Sequence, residues 1–123
     1  MSNFNFVLLY VESPAASAAF YTDLLGRAPV EQSPTFAMFA TASGVMLGLW
    51  ARDTVEPKPT RATGGSEICF AVPDGGAVDQ THADWRKRRI AIAQAPTTMD
   101  FGRTFVGLDP DGHRLRVFAP AAS

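Results

Sequence analysis

Two histidines, one cysteine and a dozen carboxylates are the groups with which this 123-residue chain could do metal, nucleophilic or acid–base chemistry. His82 falls in a helical run and His113 in a turn, and neither has a second ligand at a recognisable spacing. Cys69 stands two residues from Glu67, whose charge raises a thiol's pKa when a nucleophile needs it lowered. It reads as a small hydrophobe. Asp109 and Asp111 resemble a carboxylate pair, but Asp109-Pro110-Asp111-Gly112 is turn chemistry. Arg86-Lys87-Arg88-Arg89 closes a helix, where cations favour the dipole and stay solvated. Without interleaved aromatics that run is a weak nucleic-acid signal. No glycine loop suited to phosphate and no Ser/His/Asp arrangement is recognisable.

The remaining chemistry is aromatic. Strand alternation puts Met46, Gly48 and Trp50 on one face and Val45, Leu47 and Leu49 on the other. A glycine beside an indole leaves an open slot with a stacking plate next to it. The same parity aligns Phe6, Leu8 and Tyr10. The alternative for Trp50 is a core or dimer-interface tryptophan, and Phe6, Phe20 and Phe70 also suit an ordinary core. Trp85, spaced with Val78 on a helix, reads as a helix–sheet contact.

These residues must be positioned by one small domain, 1–123. The chain is 46% hydrophobic and 19% charged, with formal net charge −1. A core of that size folds without disulfide or metal. No apolar run approaches the roughly 18 residues of a membrane span. The start MSNFNF lacks signal-peptide character, so a soluble, cytoplasmic protein is expected. Residues 4–11 read as a strand, Ser13-Pro14 as the start of a helix with Ala16, Phe20 and Leu24 on one stripe, and Gly26 as its stop. TFAMFA and VMLGLW read as a hairpin, and 51–65 as a linker. The pattern then restarts: strand 67–72, a turn at 73–76, a helix over about 77–89, IAIA, GRTFVGL, a turn and RLRVF. Val11-Glu12-Ser13 and Val72-Pro73-Asp74 lie 61 positions apart, each between a first strand and a helix. The fold class is α+β: two βαβββ modules, about 1–55 and 65–120.

That architecture, with Ala19-Phe20-Tyr21-Thr22-Asp23-Leu24-Leu25-Gly26 and Phe105-Val106-Gly107-Leu108-Asp109-Pro110-Asp111-Gly112-His113, resembles the vicinal oxygen chelate superfamily (glyoxalase/bleomycin resistance/dioxygenase). Runs 33–39, 47–50 and 99–105 are most similar to its phenazine antibiotic resistance branch. The resemblance implies a cupped sheet with helices on the convex side and a homodimer whose cleft holds the ligand. In metal-dependent members, first and fourth strands of each module supply His, Glu or Gln ligands. The corresponding positions here are Phe6, Gly48, Glu67 and Arg116. Two offer no donor and one is a permanent cation, so no metal and no cofactor is expected.

The resemblance also makes first and last strands neighbours, so Glu67 and Arg116 can form a fork that presents spare N–H donors, or one that only neutralises charge. With Gly48 on the concave side, Met46, Trp50, Phe6 and Tyr10 face the cup, and Arg103 and Phe105 do so if Arg103 points inward. Strand 35–40 adds Phe36 and Met38, or Phe39. The resulting expectation is a metal-free protein that captures a planar aromatic compound, leaning away from an enzyme. The alternatives are a metal-dependent lyase, isomerase or ring-cleaving dioxygenase, and a scaffold whose cleft its own side chains fill.

Overall fold

A computed structural model describes residues 4–60 and 64–121, which form two compact units, one on each side of segment 61–63. The extreme N-terminus and part of the expected linker, 61–63, lie outside the described residues. In the first unit, β1 (Phe6–Val11), α1 (Pro14–Leu25), β2 (Glu31–Ser33), β3 (Phe36–Ala40) and β4 (Met46–Ala51) form a sheet of order β1-β4-β3-β2. The second repeats it with β5 (Glu67–Ala71), α2 (Gly75–Lys87), β6 (Ala91–Met99), β7 (Gly102–Leu108) and β8 (Arg114–Pro120), ordered β5-β8-β7-β6. In each, the first strand runs parallel to the last and the other pairings are antiparallel. Two mixed four-stranded sheets with two helices make the α+β architecture.

The helix starts explain the internal repeat. Ser13 Oγ accepts from the Ala16 amide at 3.1 Å, and Asp74 Oδ1 from the Ala77 amide at 2.8 Å. These two N-caps are the residues 61 apart. Asp74 therefore opens α2 at Gly75, earlier than a plain turn at 73–76 implies. Gly26, at φ 69°, closes α1 with its amide on the Thr22 carbonyl. Ser13→Ala and Asp74→Ala are each expected to lower stability by about 1 kcal/mol, additively in the double variant. Urea unfolding checks this, and a loss confined to one site would deny the equivalence.

The packed stripe of α1 differs from expectation. Pro14, Ser17, Ala18 and Tyr21 are buried, whereas Ala16 is exposed and Phe20 and Leu24 are intermediate. Both sets have helical spacing. The small Ser17 and Ala18 let the helix lie close to the sheet, and the wholly buried Tyr21 ring then meets Phe39 at 6.5 Å. Trp85 is a core residue as expected, edge-on to both Phe70 and Phe105. Strand β6 runs well past IAIA. It carries Pro96 and two register shifts, which an edge strand tolerates. Asp109 accepts from the amides of Asp111 and His113, as its turn role requires.

Candidate functional site

Each sheet has one face against its helix and one open face. In the first unit Leu9, Val11, Ala37, Phe39, Leu47 and Leu49 are buried toward α1. On the open face, register sets three cross-strand rows: Phe6–Met46–Ala40, Leu8–Gly48–Met38 and Tyr10–Trp50–Phe36. Burial alternation thus places Phe36 and Met38 on this face and Phe39 in the core. Phe6 is 39% exposed and Leu8 43%, high for large apolar side chains. The Tyr10 ring meets Trp50 edge-on, with centroids 6.3 Å apart and planes at 82°. An apolar sheet face with an indole braced edge-on by a tyrosine at one end suits a flat hydrophobic ligand.

Gly48 does not leave the expected open slot. A Cβ there would lie 2.6 Å from Leu8 Cδ2, 2.7 Å from Phe6 Cε1 and 3.2 Å from Phe36 Cζ. The space is already filled. Glycine allows the Phe6 ring and its neighbours to lie down over β4, making a floor in place of a hole.

In the second unit the open face carries Glu67 and Cys69 on β5, Arg116 and Phe118 on β8, Thr104 and Val106 on β7, and Gln94 on β6. Arg103 and Phe105 are not among them. Parity opposite to that of Thr104 turns them toward α2, where Arg103 Nε donates to Asp79 Oδ1 at 2.9 Å. Its alkyl chain covers Gly75, and the buried Phe105 ring packs on His82 and Trp85. The assumption that Arg103 points away from the helix fails because Asp79 supplies a partner there.

Arg116 is the polar hub. Its Nε donates to Glu67 Oε1 at 2.8 Å and its Nη2 to Oε2 at 2.9 Å, a two-pronged fork. Nη1 donates to Gln94 Oε1 at 3.3 Å and to Thr104 Oγ1 at 3.2 Å. Thr104 in turn donates to the Val117 carbonyl. Of a guanidinium's five N–H groups these bonds leave one on Nη2 for an acceptor. The guanidinium carbon lies over the Phe101 ring, 5.8 Å from its centroid. Gln94, Thr104 and Phe101 escaped sequence reasoning. A glutamine directly after the apolar run IAIA was the available signal for the first.

Hydrogen bonding from Arg116 holds the Glu67 carboxyl below its ordinary 4.5, against desolvation that would raise it. Because the folded state depresses this pKa, the stabilisation is full above about pH 4.5 and is lost as pH falls through the folded value. Glu67→Gln should therefore destabilise at pH 7, and its Tm deficit relative to wild type should shrink toward pH 3. A deficit constant across that range would remove the charge from the explanation. Burial first, and Glu67 second, push the Cys69 thiol up, which suits the inert role expected of it.

The register also relates the two units at the four positions where metal-dependent relatives keep ligands. Phe6 and Glu67 each lie seven residues before a helix cap. The residues two further on, Leu8 and Cys69, pair with Gly48 and Arg116 respectively. Where Glu67 reaches across to Arg116, Phe6 reaches across to Gly48. Neither unit offers a divalent ion a place at its own pair of positions: Phe6 and Gly48 have no donor, and in the second unit the Arg116 guanidinium occupies both oxygens of Glu67. Among the described residues no three His, Cys, Asp or Glu side chains cluster to hold a metal. No described helix is long and apolar enough to cross a membrane.

Doubled βαβββ sheets, the caps 61 residues apart and the Asp-Pro-Asp-Gly turn define the class. The family model for the Glyoxalase/Bleomycin resistance protein/Dioxygenase superfamily matches residues 3–117, and the chain belongs to that superfamily. Within it, the chain is 32% identical over 116 residues to the phenazine antibiotic resistance protein EhpR of Enterobacter agglomerans, covering 92% of this chain and 88% of that one. The solution NMR structure of protein ATC0852 from Agrobacterium tumefaciens is similar at a TM-score of 0.87 and 48% identity, over 99% of this chain and 100% of the other. Lactoylglutathione lyase from the same organism shares the fold at a TM-score of 0.75 and 23% identity, over 97% and 94% of the two chains.

Proposed function

We propose that this protein serves a resistance-type role by binding a small planar aromatic compound, without a metal and without turning it over. The observation that carries the reading is the Tyr10–Trp50–Phe36 row on an open apolar face. Likeness to a phenazine antibiotic resistance protein supports both the role and a flat, fused-ring ligand. The filled Phe6–Gly48 position and the Glu67–Arg116 fork support metal independence. Stacking on Trp50 is the main proposed contact. With most of its donors engaged inside the unit, Arg116 offers one N–H to a ring nitrogen or carbonyl, in place of a full fork to a carboxylate. Exposed Phe6 and Leu8 support a homodimer in which the open apolar surface is covered.

Capture of this kind protects a cell only when protein concentration rivals that of the compound, because nothing is consumed. Equilibrium dialysis against phenazine in excess EDTA tests the proposal. The expected result is saturable binding of at most one equivalent per chain, with the compound recovered unchanged. Conversion of more than one equivalent, or binding that requires an added divalent ion, would transfer the reading to the lyase, isomerase or dioxygenase class.

A further inference from the structure

A groove at the C-terminal end of α2, about 450 Å³ in volume, is lined by His82, Arg86, Arg89, Ile90, Ile92 and Ala95. Its volume suits a small molecule. His82 and Arg86 stand one helical turn apart, so they share a helix face. Ile90 is buried and Ile92 half-buried, which gives the groove an apolar floor beneath the cations. The shift in strand register after Ile92 and again after Gln94 accompanies the turn of Ala95 to the same wall. Glu67, Cys69 and Arg116 occupy the opposite face of this sheet, so the groove is separate from the site described above.

Two features set this groove apart from an ordinary solvated helix end. Arg88 is tied to Asp84 at 3.0 Å, but among the described residues no carboxylate pairs with Arg86 or Arg89. Two arginines with no ion-pair partner among the described residues therefore line one concavity, and an anion placed there meets both guanidinium charges. The second feature is backbone. The Ile90 amide bonds to the Trp85 carbonyl and the Arg89 amide to the Arg86 carbonyl, a helix ending whose left-handed position glycine normally fills. Arg89 occupies it at φ 61°, the one non-glycine residue with positive φ among those described. A guanidinium is held at the rim at the expense of backbone strain.

We propose that this groove binds a small amphiphilic anion: a carboxylate or phosphate monoester head on Arg86 and Arg89, with an apolar body on Ile90, Ile92 and Ala95. Its short span along one helix end and its apolar floor distinguish it from the extended basic stripe that a nucleic acid follows.

The test is amide chemical-shift mapping of the 15N-labelled protein at constant ionic strength. The probes are naphthalene-2-carboxylate, 1-naphthyl phosphate, neutral 2-naphthylmethanol and inorganic phosphate. The expected result is saturable shifts at Arg89, Ile90 and Ile92 with one or both naphthyl anions, the stronger of the two identifying the head group. The neutral alcohol and inorganic phosphate should each bind at least about 10-fold more weakly. Arg86→Gln should weaken anion binding by a similar factor. Arg89→Gly should do so while raising Tm by about 2–5 °C, because glycine relieves the left-handed strain. Equal shifts from the neutral alcohol or from inorganic phosphate would overturn the proposal. Undiminished binding in Arg89→Gly, or shifts confined to Leu8 and Trp50, would do the same.

Discussion

Trp50→Ala is expected to lower the proposed affinity for phenazine by about 10- to 100-fold, a cost of about 1.4–2.7 kcal/mol typical of removing a tryptophan anchor from a binding surface. The indole is the largest group on the open face of the first sheet. It is braced edge-on by Tyr10 and lies in register with Phe36, so its plane is fixed before a ligand arrives. A held ring loses little entropy on stacking, whereas an alanine removes the stacking plate and leaves only the smaller apolar side chains of the face. Trp50→Phe should recover part of the loss, because a smaller ring still stacks. Isothermal calorimetry distinguishes these variants. Affinity unchanged in Trp50→Ala would make the residue scaffold, and the stacking surface would have to lie elsewhere.

Gly102→Ala destabilises by about 3–5 kcal/mol, near the upper end for a single added methyl, because left-handed strain adds to an immovable clash. Gly102 sits at φ 134° where β7 begins opposite Pro120. A Cβ there would lie 1.9 Å from the Ala119 carbonyl oxygen and 2.9 Å from the Ala121 amide nitrogen. Those are backbone atoms of β8 and of the residue just after it, so relief requires breaking the β7–β8 ladder that carries Arg116. Gly107→Ala is the useful comparison. Its new methyl would meet the Trp85 ring at 2.7 Å, a side chain that can shift, and about 1–3 kcal/mol is expected. Urea unfolding ranks the two. A smaller loss at Gly102 than at Gly107 would contradict the account of the strand start.

Local chemistry made much of this fold legible. Ser13, Asp109 and Gly26 act as their residue types and neighbours dictate, and strand alternation aligned Trp50 with Gly48 and Met46. The fork between Glu67 and Arg116 followed from a family resemblance that makes their strands neighbours. What escaped depended on tertiary partners. Parity says that Arg103 and Phe105 share a face, but only Asp79, on another element, decides which face it is. Glycine at 48 announces missing volume without saying whether a ligand or the Phe6 ring uses it. On α1, two stripes of equal period compete, and the small residues that allow close approach won over the larger apolar ones. Gln94 and Thr104 matter because both reach one guanidinium, a convergence that no local pattern encodes.

The proposed capture leaves the aromatic compound intact and uses no metal. Native mass spectrometry of untagged protein, purified without added metal or chelator and then mixed with phenazine, tests it most directly. The expected mass is that of two bare chains before mixing and, afterwards, that mass plus one or two unmodified phenazine molecules, with free phenazine otherwise unconsumed. A stoichiometric transition-metal ion on the purified chains, or a chemically altered ligand, would contradict it.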